Sequence, residues 1–493
     1  MPVSLLIALV LAFGLDAPRG RIPAEDVTAR LAMMLGGVAF VAALAFGLGL
    51  WAAWRVARAG HASAPVRRRF TIGTRLITIG SLVVYAWIIH SLGWSKLVLA
   101  NWGLRGWVLL DDLGVFLPYL AIQVLVWSGL FAGERALRVG HGTMTGGLGR
   151  YLVLRARQSI GLVLPVILLY LARHDLIARV WPEWDRYELA EPLEVAVLGG
   201  FVLLISPIFV RIAWPTHSLP AGPLRRRLES AAARVGFTYT DILVWDTGNM
   251  MVNACVTGIL PGFRYVLLTD ALIETLTPLE AAAVFGHEVG HVVHRHLPFF
   301  GFFFIGSLGL LSLCASGVES AAPAFERLGR ALDVSAGLMS ETGQGVVLLL
   351  FLGLFFWQVF GRLSRRFERQ ADVFGAKFVS CQASACPPHV DLDGSLSALA
   401  QPARSLTICP VGVRLFADAL ASVAIHNGLD PQGRSWRHGS IASRLDFLAW
   451  LARNPAAERT FQTSVSRLRV GLGLVLSLAV CLSIVVGWLR GGI

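Results

Sequence analysis

Residues 31–54 contain no charged side chain, and one helix through them is long enough to cross a lipid bilayer. Comparable apolar runs recur at about 71–94, 113–131, 159–172, 192–213, 297–318, 345–360 and 470–488. In lipid, every backbone polar group must be satisfied within its own segment, so runs of this length read as spanning helices. The composition agrees: 55% of the residues are hydrophobic, 15% are charged, and the mean hydropathy is +0.64. The expected class is a polytopic α-helical membrane protein. Residues 3–15 are apolar but short, and read as either a first span or a signal sequence.

The charges between the runs give an orientation. Basic loops carry Arg55, Arg58 and Arg67 to Arg69, then Arg135, Arg138, Arg150, Arg155 and Arg157, and later Arg225 to Arg227. They alternate with neutral or acidic loops, such as those holding Asp111, Asp112, Asp175, Glu183 and Asp185. Placing the basic loops inside orients every span consistently and puts the segment after Trp214 in the cytoplasm. The net charge of +12 therefore serves topology, and no nucleic-acid partner is expected. The only lysines are Lys96 and Lys377, a bias that points to a GC-rich genome and a bacterial inner membrane. Of the six cysteines, Cys314 and Cys481 lie in apolar runs, while Cys381, Cys386 and Cys409 share one polar stretch. Their spacing matches no zinc ribbon, so free thiols on a reducing face are expected.

The runs divide the chain. Residues 1–214 form an N-terminal membrane region of about five or six spans, 297–360 a transmembrane hairpin, and 466–493 a final span. Between them, 215–296 and 361–465 read as two soluble parts of one domain. The first holds an amphipathic helix at Leu224 to Val235 and two strands, Ile242 to Trp245 and Arg264 to Thr269.

That first part ends on His287-Glu288-Val289-Gly290-His291. Two histidines four apart lie on one helix face, where both imidazoles can reach one metal. The intervening glutamate can serve as general base toward water. Thr277-Pro278-Leu279-Glu280 supplies an N-cap, a proline at the first helical position and a capping-box glutamate.

A catalytic zinc takes a third protein ligand. The positions three and six after His291 hold His294 and Leu297, which excludes the metzincin pattern. His294 and His296 are expected at the polar end of the helix, near lipid headgroups. Glu319, Glu326 and Glu341 lie between two spans, on the far side of the membrane. Glu368 follows the second span and returns to the side of His287, which makes it the preferred third ligand. Asp372, on the same helix face, can hydrogen-bond a ligating histidine and fix its tautomer. At 1.5 Å per residue, His291 and Glu368 stand roughly 9 and 12 Å beyond the hydrocarbon edge. An intramembrane site-2 arrangement would pair the histidines with Asp393 of Leu392-Asp393-Gly394, but polar residues flank both motifs.

The pattern HEVGH, then Glu-x-x-Ala-Asp at 368–372, then a later histidine, resembles the membrane gluzincins. That family includes the CAAX prenyl endopeptidases and the bacterial HtpX-like proteases. The resemblance covers about 215–450 and implies a mainly α protein with a zincin-like α+β metallopeptidase domain bearing a small β-sheet. It implies one zinc per chain on His287, His291 and Glu368, with Glu288 as base. Asn253-Ala254-x-x-x-Gly258 looks like the family's edge strand, implying that Asn253, Ala254, Cys255, Val256 and Thr257 bind extended substrate. Ser364, four residues before Glu368, fits the same pattern. His438 and Arg444 resemble a histidine directed at the reaction centre and an arginine that supports the site. The family usually has proline after that histidine, where this chain has Gly439. The expected function is an integral-membrane zinc endopeptidase acting on membrane-associated protein or peptide substrates. An intramembrane protease and a catalytically silent membrane scaffold are the alternatives.

Overall fold

The computed structural model describes residues 2–13, 20–105, 110–137, 146–171, 180–181, 183, 190–331, 348, 351–380, 408–433 and 435–491. The N-terminal helices are α1 (Pro2–Phe13), α2 (Ala24–Ala59), α3 (Ala64–Ala86), α4 (Leu110–Leu137), α5 (Leu148–Leu171) and α6 (Ala190–Ala213). After them come β1 (Thr216–Ser218), α7 (Pro223–Arg234), β2 (Asp241–Trp245), β3 (Ala254–Thr257), β4 (Tyr265–Thr269) and α8 (Asp270–Thr275). The remainder is α9 (Pro278–Val293), α10 (His296–Ala331), α11 (Gly361–Phe378), α12 (Pro410–His426), α13 (Ile441–Arg453) and α14 (Ala456–Gly491). The chain is mainly helical with one small mixed sheet, as the sequence predicts.

Among the described residues, five helical stretches are long and apolar enough to cross a membrane: Ala24–Ala59, Ala64–Ser91, Leu110–Leu137, His296–Ala321 and Ala456–Leu489. The expected runs 159–172 and 192–213 fall largely in α5 and α6. Residues 3–15 fall largely in α1, whose Leu5 and Ala8 share one apolar core with α2, α3 and α4. Most of the connection between α10 and the returning run lies outside the described residues, as do Glu341, Cys381, Cys386 and Asp393. A π-helical turn, Phe356–Phe360, leads directly into α11. α10 and the segment leading into α11 touch through Phe303, which meets Phe355 and Phe356 at ring-centroid distances of 5.6 and 5.5 Å.

The sheet runs β1-β2-β4-β3. β2 and β4 pair in parallel, β1 and β3 antiparallel on either side. Both faces of the central strands are covered, which explains their unbroken apolar sequence. Ile242, Val244, Val266 and Leu268 pack on α9, while Leu243, Trp245 and Leu267 pack on Val210 and Trp214 at the end of α6. Trp214 and Trp245 stack with centroids 4.0 Å apart. β3 is left at an edge, with one side of its backbone unpaired by any strand.

Candidate active site

Local signals start α9 where the sequence places it. Thr277 caps it, Glu280 closes the capping box, and Pro278 opens the first turn. Phe285 and Val289 are fully buried against the sheet, an anchor worth about 3–5 kcal/mol for a residue such as Phe285. The opposite face is small. A Cβ on Gly290 would lie 3.0 Å from the Cβ of Phe374 and 3.2 Å from the Cα of Ala371. The glycine of HEVGH thus allows α11 to lie almost backbone to backbone on α9.

That close crossing brings three donors together. His287, His291 and Glu368 offer ligand atoms within 4.8 Å of one another. The two Nε2 atoms are 3.3 Å apart, and Glu368 approaches them at 3.8 and 3.9 Å. Zinc–nitrogen bonds of about 2.0–2.1 Å in a tetrahedral site separate two nitrogens by about 3.4 Å, close to what is seen. Glu319 lies about 35 Å along α10 from His296 at the helical rise, far from this cluster.

The neighbours of each ring tell which nitrogen carries the proton. His287 Nδ1 sits 2.9 Å from Oδ1 of Asp372, without the alignment of a full hydrogen bond. Gln370 donates its amide to Gln462, so its oxygen faces His296 Nε2 at 2.9 Å and must accept from it. His296 Nδ1 is then an acceptor, and His291 Nδ1, 2.9 Å away, must be its donor. Both Nε2 atoms therefore turn lone pairs toward the same point. With both rings neutral, a metal ion between the two nitrogens relieves that repulsion, and without one a proton on His287 shared across the 3.3 Å contact does the same; the donor set fits a metal.

The charges agree. Burial, with the charge of His287 next, pulls the His291 imidazole down to about 3, so it is neutral as a ligand must be. Burial also presses on His287, but Asp372 outweighs it and raises that ring. The Glu368 carboxyl is held far below its usual range despite burial, through His438, then Arg444 and the two histidines. Burial, with the charge of Glu368 among the next causes, pushes Glu288 up to about 7.

Asp372 is completely buried. Arg444, from the first turn of α13, grips it through Nε at 2.8 Å and Nη2 at 2.5 Å, and its Nη1 lies 3.6 Å from Glu368. His438 reaches the cluster from a loop, Nδ1 2.9 Å from Oε1 of Glu368, with its side chain 48% exposed. Gly439 beside it has φ 76°, and its N–H donates to the Ser435 carbonyl at 2.9 Å. Proline could adopt neither feature, which gives the departure from the family pattern a physical reason. Ser364 is buried one turn before Glu368.

The register of β3 orients its free edge. Thr269 N–H and Oγ1 both donate to the Asn253 carbonyl, and Cys255 pairs with Leu267. In an antiparallel ladder Asn253, Cys255 and Thr257 then face β4, and Ala254 and Val256 point their backbone outward. The Val256 N–H meets the Glu288 carboxylate. The Cys255 side chain turns to the other face of the sheet, beside Trp245 and Leu267.

One expectation needs correction. His296 does not sit among headgroups. It is fully buried, stacked on Phe367 with ring centroids 4.0 Å apart and bonded to His291. Arg295, at φ 55°, breaks the helix between α9 and α10, and His296, the first residue of α10, lies beside His291. Replacing His296 with leucine is expected to lower zinc affinity about 10–100-fold, the usual cost of losing a residue that orients a ligand. Competition with a zinc chelator measures it, and unchanged affinity would show that His296 does not orient His291.

The sequence profile described as peptidase family M48 matches residues 218–392. CAAX prenyl protease 1 of Saccharomyces cerevisiae is 31% identical over 104 residues, which are 20% of this chain and 23% of that protein. Protease HtpX of Psychrobacter sp. is 27% identical over 153 residues, 30% of this chain and 46% of its own length. The chain thus matches less than half the length of either relative. The crystal structure of S. mikatae Ste24p aligns with 87% of this chain and 100% of its own at a TM-score of 0.46 and 16% identity.

Proposed function

Because this multi-pass membrane chain belongs to peptidase family M48 through residues 218–392, we propose that it is an integral-membrane zinc-dependent endopeptidase. Its substrates are proteins or peptides associated with the bilayer. The observation that carries the reading is the pair of Nε2 atoms 3.3 Å apart, both turned lone pair inward beside the Glu368 carboxylate. His287, His291 and Glu368 would hold one zinc per chain. When bound, zinc lowers the pKa of water to about 7 and polarises the scissile carbonyl. Glu288 takes a proton from the attacking water and returns it to the leaving amine. Asp372 and Arg444 hold the His287 ring and the Glu368 carboxylate in place. His438, at the exposed mouth, faces the oxygen on which negative charge develops.

Substrate in extended form adds to β3, where Ala254 and the Val256 carbonyl offer backbone that pairs with no strand among the described residues, beside Glu288, which meets the Val256 N–H. Such pairing reads main chain more than side chains, which favours broad specificity. Residues 215–296 and 361–465 act as two parts of one peptidase domain, joined by the hairpin 297–360. Residues 1–214 and 466–493 complete the membrane part. The alternation of basic loops supports a cytoplasmic side for the domain, and the scarcity of lysine supports a bacterial inner membrane.

Two measurements test this. Purified protein is expected to contain one zinc per chain and to degrade casein in a chelator-sensitive way; metal-free protein without peptidase activity would favour a silent scaffold. Reporter fusions after Arg227, Arg369 and Arg437 are expected in the cytoplasm, and fusions near Glu326 on the opposite side. A cytoplasmic report at Glu326 would overturn the orientation.

A further inference from the structure

Behind the catalytic helix, where α9 turns into α10 against α14, lies a cleft of 470 Å3. Val293, His294, Arg295, Phe299, Ser466, Arg469 and Val470 line it, so both cations face one cleft. Both arginines stand at one level. Arg295 immediately precedes the apolar run of α10, and Arg469 immediately precedes that of α14. This is where two spanning helices meet the headgroup layer.

Among the described residues, no carboxylate forms an ion pair with either arginine. Arg469 is nonetheless fixed. Its Nη1 donates to the His294 carbonyl at 2.8 Å, and its guanidinium lies over Phe299 at 5.1 Å and Phe367 at 5.7 Å. Its Nε and Nη2 have no protein acceptor among the described residues. Arg295 occupies a left-handed backbone position, φ 55°, at the end of α9, where glycine or asparagine is the usual choice. Below the two cations the wall turns apolar and exposed. Val470 is 60% exposed, and Leu474, one turn further into the span, 68%.

We infer that this cleft binds the phosphate of an anionic phospholipid, clasped between Arg295 and Arg469, with its acyl chains running down past Val470 and Leu474. Basic pockets between spanning helices at the cytoplasmic face recognise such headgroups. The phosphate accounts for the uncompensated pair, and the apolar wall beneath it selects a lipid over an anion from solution. The inference rests on the membrane placement of α10 and α14 and does not depend on peptidase activity.

The test is native mass spectrometry of the full-length protein released from micelles containing equal amounts of phosphatidylglycerol and phosphatidylcholine. The wild type is expected to retain phosphatidylglycerol in preference. Arg295→Asn, which suits the left-handed backbone, and Arg469→Gln are each expected to reduce that retention about fivefold, the effect of one cation at a membrane surface. Phosphatidylcholine retention stays the same. Arg69→Gln, removing an exposed arginine of α3 away from the cleft, leaves both unchanged. Equal retention of the two lipids, wild-type retention in Arg295→Asn, or an equal loss in Arg69→Gln would overturn the site. Displacement of phosphatidylglycerol by inorganic phosphate would overturn the lipid as the source of the anion. Should Arg469→Gln fail to fold, Arg295→Asn decides alone.

Discussion

Glu288→Gln is expected to bind zinc as the wild type does and to lose about 10²–10⁴-fold in peptidase turnover, the usual contribution of a positioned general base. The substitution removes the proton acceptor and little else. The amide keeps the carboxylate's shape, and its oxygen can still accept from the Val256 N–H that Glu288 meets. His287, His291 and Glu368 are untouched, so the metal should remain stoichiometric. Zinc content and cleavage of a quenched fluorescent peptide, measured on one preparation, separate the two effects. Turnover near the wild-type level would mean that another residue handles the proton. The same variant, expressed in cells, should hold substrates uncut long enough to identify them.

Glu368→Ala is expected to lose both metal and activity. It removes one of three donors, and it leaves His438 and the Nη1 of Arg444 facing an empty position instead of a carboxylate. Asp372 still neutralises Arg444 through its other two nitrogens, so the fold should survive without zinc. His287→Ala and His291→Ala should lose metal in the same way. Stoichiometric zinc together with normal turnover in Glu368→Ala would remove Glu368 from the ligand set and return the choice to the other acids.

The parts of this site that are legible in the sequence are those specified by local spacing. The capping box at Thr277 and Glu280, the i,i+4 histidines, and the pairing of Glu368 with Asp372 all follow from helical periodicity. The structure places His287, His291, Glu368, Asp372, His438 and Arg444 in one cluster. The strands at Ile242 to Trp245 and Arg264 to Thr269 are equally local signals, whereas β3 is anticipated only through the family resemblance of Asn253 to Gly258. What remains hidden depends on long-range geometry. His296 looks like a flanking polar residue because nothing in Val292 to Leu297 reveals that Arg295 adopts a left-handed backbone. Gln370 gains its role only when α14 brings Gln462 beside it. The sheet order β1-β2-β4-β3 and the stack of Trp214 on Trp245 likewise depend on contacts that no short window contains.

Two of the three donors hang from α9, which a break at His294 and Arg295 joins to the long apolar helix α10, and the third from α11, which follows directly on the π-helical turn Phe356–Phe360. With the membrane placement proposed above, the hairpin between them is in effect a pair of tongs whose handles lie in lipid. Lateral pressure that presses the handles together or lets them part at Phe303, Phe355 and Phe356 then reaches a grip only a few ångströms wide, through the turn at Arg295 on one side and through continuous helix into α11 on the other. The spacing of the donors is then partly a property of the solvent around the handles. A thin bilayer, a thick one and a detergent micelle act as three different springs on the same grip, so the surroundings in which the protein is purified become a variable of its metal affinity.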